Sequence, residues 1–296
     1  MSSCRTTVRV STDTPISKRI DWPMSVDDIS GARTRRCFLL LAFDGLSYHG
    51  WQRQPGAMSV QQAVEEALAT VLRLPAVAVT GAGRTDAGVS AALMPAHVDL
   101  PACGMNYEAL KRSLNSLLAP HIVVRDIVEV PEGAHARFDA TGRTYRYFVH
   151  TGRTPFAGQH SWQASPALDF DAMNLAARQL LSTDDFTSFA KLHTDTRTNI
   201  CRVTHAAWHP LTASPLDPPG FDTGRWYFEI TADRFLRNMV RAVVGTLVEV
   251  GRGKLSVDGF SDIIARRDRC AAGTSMPGGP LFLYNVTYPY LNSTPI

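Results

Sequence analysis

GAGRTDAGVSA, residues 81–91, sets three glycines (Gly81, Gly83 and Gly88) around Arg84, Thr85 and Asp86. Glycine tolerates positive φ and lets a backbone approach a neighbour closely. A loop built this way, directly after the strand-like AVAVT (76–80), can press against a bound molecule. Two familiar readings fail on spacing. A dinucleotide fingerprint GxGxxG needs glycine where Asp86 stands, and a P-loop needs a GK[ST] triplet, which a loop without lysine cannot supply. Taken alone, an aspartate in a glycine-rich turn is more often a structural turn than a site.

Working outward, CFLLLAFD (37–44) is a short apolar run ending at Asp44-Gly45, which reads as a buried strand. Ser59, with Gln62 three residues on, has the pattern of a helix capping box, and Val60, Val64, Leu68, Val71 and Leu72 then share one helical face. A second helix is expected over 106–118 and a strand over IVVRDIVEV (122–130). RTYRYFVH (143–150) alternates as a half-covered strand does, and FDAMNLAARQLL (170–181) has helical periodicity. Strands are expected near 200–209 and 225–231, and a helical stripe runs through Phe235, Met239, Val240, Val243, Val244 and Leu247. LFLYNVTY (281–288) is a closing strand, and TASPLDPPGFDTG (212–224) a long surface loop. Strands and helices mix in both halves, and the alternating strands point to antiparallel pairing. The fold class is therefore α+β rather than a doubly wound parallel sheet.

The chain has 296 residues, room for two domains or one domain with two lobes. Its composition, 45% hydrophobic and 19% charged, is that of a soluble globular protein, and a net charge of +3 does not by itself announce a polyanionic partner. Five cysteines (4, 37, 103, 201 and 270) form no CxxC pair, so neither a disulfide framework nor a zinc ribbon is expected, and a reducing cytoplasm is the expected compartment. No apolar run reaches membrane-span length. Residues 1–36 carry Asp13, Asp21, Asp27 and Asp28 and no apolar core segment. They read as a poorly ordered extension or a mis-assigned start rather than a targeting signal, and Arg33-Thr34-Arg35-Arg36 as a solvated run able to touch phosphate.

Five segments, in order over residues 37–290, carry a family resemblance. FDGLSYHGWQRQ (43–54), GAGRTDAGVSA, AHARFDATGRTYRYFV (134–149), DDFTSFAK (184–191) and DRFLRNMVRAVVGTLVEVG (233–251) resemble the motif blocks of the tRNA pseudouridine synthase A family. One position departs: Ser90 stands where that family usually has histidine. The resemblance implies two ferredoxin-like (RRM-like) lobes, residues 37–141 and 142–296, with mainly antiparallel sheets joined across a central RNA-binding cleft. It implies isomerisation of uridine to pseudouridine in the anticodon stem-loop of tRNA, at positions 38–40, commonly by a homodimer.

Such a reaction breaks the N1–C1′ bond, turns the retained base and rejoins it through C5, so no cofactor is needed. The resemblance implies that Asp86 is the catalytic nucleophile. An enclosed carboxylate needs a nearby cation to stay charged, and the resemblance implies Arg84 and Arg241 for that role. Arg241 also lies between core-like Val240 and Val243, where a charge needs a partner. Tyr145 and Tyr147 face one way on their strand and Arg146 the other. By resemblance Tyr145 stacks on the extruded base. Gln52, Arg53, Gln54, Arg137 and Arg143 are the implied substrate-binding residues, and the aromatic and amide mixture at 48–54 suits stacking on nucleotides. Two basic stretches, 135–153 and 225–254, could track phosphates. His135 and His193 have no partners at metal-ligand spacing, and no metal site is expected. Two other classes remain open: an inactive RNA-binding module, and a nucleoside or sugar hydrolase pairing Asp86 with a second carboxylate.

Overall fold

A strand that alternates between two faces can build a half-covered sheet, and β5 (Gly142–His150) does so: Tyr147 and Val149 are buried on one face, while Arg146 and Phe148 are half-covered on the other. The structure is a computed structural model describing residues 33–102, 105–154, 158–164, 168–191, 198–212 and 224–291. The remaining strands are β1 (Thr34–Phe43), β2 (Thr80–Gly81), β3 (Ser90–Pro101), β4 (Ile122–Glu129), β6 (Trp162–Gln163), β7 (Val203–Pro210), β8 (Arg225–Ala232) and β9 (Leu281–Thr287). The α-helices are α1 (Val60–Leu72), α2 (Tyr107–Leu117), α3 (Phe170–Arg178), α4 (Met239–Gly251) and α5 (Val257–Arg266).

The strands join in one sheet of order β4-β1-β3-β9-β5-β8-β7, with β2 on β3 and β6 on β5. Pairing is antiparallel except for β3–β9 and β5–β6. The fold class is thus mixed α+β with a mainly antiparallel sheet. β9, from the end of the chain, is the seam. It meets β3 only at Ser90–Phe282 and Ala91–Leu283 and runs along β5 from Gly142–Thr287 to Tyr147–Leu281. One hydrophobic core gathers Leu39, Leu41, Val64, Leu68 and Leu110 with Leu283 and Val286 of β9. The other gathers Tyr147, Phe186, Phe189, Phe228, Val243 and Phe260. Tyr145 packs against both. Among the described residues no helix is long and apolar enough to cross a membrane.

Several boundaries differ from the sequence reading for physical reasons. β1 starts at Thr34, because Arg35 pairs with Glu129 (2.8 Å) and Arg36 with Asp99 (2.6 Å) on the neighbouring strands. The basic run at 33–36 is therefore partly strand, not only solvated surface. AVAVT is a strand only at Thr80. Side chains of α1 take its backbone partners instead: Gln61 Nε2 donates to the Val79 carbonyl (2.9 Å) and the Val79 N–H donates to Glu65 Oε1 (3.0 Å). Ser59 caps α1 by accepting from the Gln62 N–H (3.2 Å), but the Gln62 side chain donates to Glu66, so the box is half formed. The stripe from Phe235 becomes helix only at Met239, after Asn238 at φ 67°. Three elements were not read from sequence: β6, α5 and β3, the last a long central strand containing Pro95. The Pro95 carbonyl accepts from the Ala82 N–H (2.9 Å), just past the two residues of β2 that pair with β3. Residues 1–32, His193 and most of 212–224 lie outside the described residues.

Candidate active site

Two of the three glycines in 81–91 are spent on a contact or a turn. At Gly81 a Cβ would lie 2.5 Å from the Trp51 ring, and Gly88 turns the chain at φ 78°. Segment 44–51 lies beneath the loop. At Gly50 (φ 88°) a Cβ would meet the Thr85 carbonyl at 2.4 Å, and at Gly45 one would meet the Val89 carbonyl oxygen. The Gly88 N–H donates to the Tyr48 carbonyl (3.4 Å) and the Gly45 N–H to Ser90 Oγ (3.0 Å). Ser90 is thus a buried brace between the two segments, a task its hydroxyl performs as an acceptor. Trp51 and Tyr48 are buried, Trp51 against Phe43, so these two rings anchor the loop and are not free to stack on nucleotides.

On this support the Asp86 carboxylate is half-buried and meets two cations. Arg241 NH1 donates to Oδ2 at 3.2 Å, and Arg237 Nε lies 3.8 Å from Oδ1. Arg241 comes from the first turn of α4, 155 residues away. It is held in turn, since its Nε donates to the Met276 carbonyl (2.6 Å) and its own carbonyl accepts from the Met276 N–H (3.1 Å).

Segment 272–280, which the sequence reading passed over, ties these parts together. It presses on α4 at Gly245, where a Cβ would fall onto the Thr274 carbonyl oxygen. Its Gly273 N–H donates to Thr246 Oγ1 (2.9 Å), and its Ser275 Oγ accepts from Asn238 Nδ2 (2.6 Å). It then reaches the loop at 81–91, where a Cβ on Gly278 would lie 2.6 Å from the Ala87 carbonyl.

Tyr145 stands beside the carboxylate. Burial and then the Asp86 charge push its hydroxyl up to about 12, so it stays protonated as a donor. Its ring meets Phe235 edge-on, with centroids 5.0 Å apart. Behind it Tyr147 is fully buried; burial raises its pKa and the nearby Arg241 opposes this. Arg143 is a clamp. Its guanidinium donates to the carbonyls of Ala140 (2.9 Å), Asp233 (2.6 Å), Ala82 (3.2 Å) and Arg137 (2.6 Å), fixing the loop's entry to both halves of the chain.

The structure therefore brings together Asp86, Arg241 and Tyr145 as expected. It leaves Arg84 exposed and outside the ion pairs of Asp86 among the described residues; Arg237 takes that place. Gln52, Arg53 and Gln54 are exposed, with Arg53 facing Glu65 (3.5 Å) and Gln54 Nε2 donating to the His49 carbonyl (2.7 Å). Arg137 is exposed beside Phe138, whose ring is 75% exposed and was not singled out from sequence. The basic stretch at 135–153 does not form one surface. Arg146 lies on the opposite sheet face, bonded to Glu229 (2.6 Å) and 3.5 Å from the Tyr284 ring centroid, while Arg252 and Lys254 face Glu249.

Comparison with known proteins agrees with this arrangement. A sequence profile described as tRNA pseudouridine synthase matches residues 176–289. A tRNA pseudouridine synthase A of Bacteroides thetaiotaomicron is 53% identical over 86% of this chain and 91% of its own length. That of Bacteroides fragilis is 52% identical over 86% and 97%, and that of Bacillus subtilis 36% identical over 84% and 97%. Identity at this level along nearly the whole length of each relative, with Asp86, Tyr145 and Arg241 converging in one site, shows that the chain belongs to the tRNA pseudouridine synthase A family.

Proposed function

We propose that this chain isomerises uridine to pseudouridine in tRNA, acting on the anticodon stem-loop at positions 38–40 with no cofactor. The observation that carries the proposal is the Asp86 carboxylate, fixed on a glycine loop and neutralised by Arg241 from the far half of the chain. Asp86 serves as the nucleophile. The N1–C1′ bond breaks, the base turns within the site, C5 bonds to C1′, and the C5 proton is lost while N1 gains one. Arg241, with Arg237 at longer range, pairs with the Asp86 carboxylate and aims it. Tyr145, half-buried between the two cores, stacks on the extruded base and keeps a protonated hydroxyl to donate. Arg143 positions the loop through backbone carbonyls. The exposed Arg84, Gln52, Arg53, Gln54 and Arg137, with the open Phe138 ring, form the surface that meets the RNA.

We read residues 37–141 and 142–296 as two ferredoxin-like lobes; the separate hydrophobic cores on either side of the seam support this division. A cytoplasmic homodimer is the assembly expected from the family. Among the described residues the groups touching the Asp86 carboxylate are cations rather than a second acid, which supports isomerisation over glycoside hydrolysis. The test is incubation with unmodified tRNA and mapping of pseudouridine by carbodiimide-dependent primer extension. Stops confined to the anticodon arm, with no cofactor added, are expected. Binding of tRNA with every uridine unchanged would instead support an RNA-binding module.

A further inference from the structure

The far edge of the sheet carries a second cluster that the chemistry above does not use. His205, Ala207 and His209 alternate onto one face of β7, the edge strand. In the β7–β8 register Ala207 is opposite Glu229, so Glu229 lies diagonally between the two histidines on the same face. The side chains lean toward one another across Ala207. The two Nε2 atoms are 3.4 Å apart, the rings are nearly parallel at 9°, and His205 Nε2 is 3.6 Å from Glu229 Oε1. One ligand atom from each of the three lies within 4.8 Å of the others.

We propose that His205, His209 and Glu229 form a binding site for a divalent d-block cation, with Zn2+ as its best fit, clipping edge strand β7 to β8. Zinc–nitrogen bonds of about 2.0–2.1 Å at a tetrahedral angle set two imidazole nitrogens about 3.3–3.4 Å apart, which is the separation these rings already have. Two imidazoles and a carboxylate suit zinc, and three protein ligands leave the fourth position to water. All three side chains are partly exposed, which gives the ion a path in.

The surroundings orient the ligands. Arg146 occupies Glu229 Oε2 at 2.6 Å, leaving Oε1 as the single donor toward His205. Tyr227 packs on the His209 ring, with centroids 5.2 Å apart. Such outer contacts fix ligand geometry in metal sites. This departs from the sequence expectation of no metal, because only the β7–β8 register brings a carboxylate from another strand beside the two histidines.

The test uses the full chain stripped with chelator and titrated with Zn2+ against a chromophoric chelator, then with Co2+ as an optical reporter. One equivalent of Zn2+ is expected, with Co2+ giving the intense visible bands of a four-coordinate site. His205→Ala/His209→Ala should abolish the Co2+ bands and weaken Zn2+ binding by more than about tenfold. Glu229→Gln, which keeps shape and removes charge, should weaken it with the fold intact by circular dichroism. Equal binding by wild type and the double variant, or no binding to wild type at equimolar metal, would overturn the proposal.

Discussion

Asp86 and Arg241 are a half-buried ion pair in which each partner is held by something else: the aspartate by its glycine loop, the arginine by the Met276 carbonyl. Because Arg241 spends Nε on that carbonyl and NH1 on the carboxylate, its expected effect is on that carboxylate rather than on phosphate. Arg241→Ala is expected to lower kcat on the order of 100-fold and to change tRNA affinity little in a filter-binding assay. Arg237→Ala, removing a longer and more exposed contact, should cost less in kcat. Equal losses of turnover and affinity for Arg241→Ala would instead mark a phosphate contact. The meeting of Asp86, Tyr145 and Arg241 was legible because each stands in one of the resembling motif blocks. Arg237 was not, because it stands just before the helix, where periodicity says nothing about which way a side chain points. Arg143 was legible as a residue but not in its role, since nothing in RTYRY tells a phosphate ligand from a clamp on four carbonyls.

At the scale of elements, β3 supports the loop from its exit and also holds the turn at 134–138. His97 on β3 accepts the Ala136 N–H at Nδ1 (3.1 Å), which requires an unprotonated Nδ1. Burial, reinforced by Arg36 and His135, holds its pKa down at about 4 against an ordinary 6.5. Below 6.5 the unfolded chain takes up a proton that the folded chain refuses, so this contribution to stability is lost as pH falls from 6.5 to about 4. Denaturant unfolding across that window should show the decline, and His97→Gln should flatten it. An unchanged slope in the variant would assign the acid sensitivity to other groups. Alternation and helical periodicity made β1, β4, β5, β7, β8, β9, α1, α2 and α3 readable from sequence. β3 was missed because Ala91, Ala92, Pro95 and Ala96 break both β propensity and period. AVAVT was over-read because Gln61 and Glu65, not a strand, bond its backbone.

Across the whole molecule, the site exists only because distant parts of the chain meet. The loop at 81–91 supplies the carboxylate, α4 the cation, β5 the tyrosine, and segment 272–280 binds α4 to the loop through close contacts at Gly245 and Gly278. β9, the last strand in chain order, returns to the seam between the cores and joins β3 to β5 there. Sequence could name the partners but not the segment that joins them, because GTSMPGGP has no periodicity and its glycines are explained only by what they touch. Whether the Asp86 carboxylate acts on uridine is read by single-turnover pseudouridine formation on unmodified tRNA with wild type and Asp86→Ala at matched RNA occupancy. Asp86→Ala should bind tRNA with near-wild-type affinity and form no pseudouridine; pseudouridine formed by the variant at the wild-type rate would contradict the account.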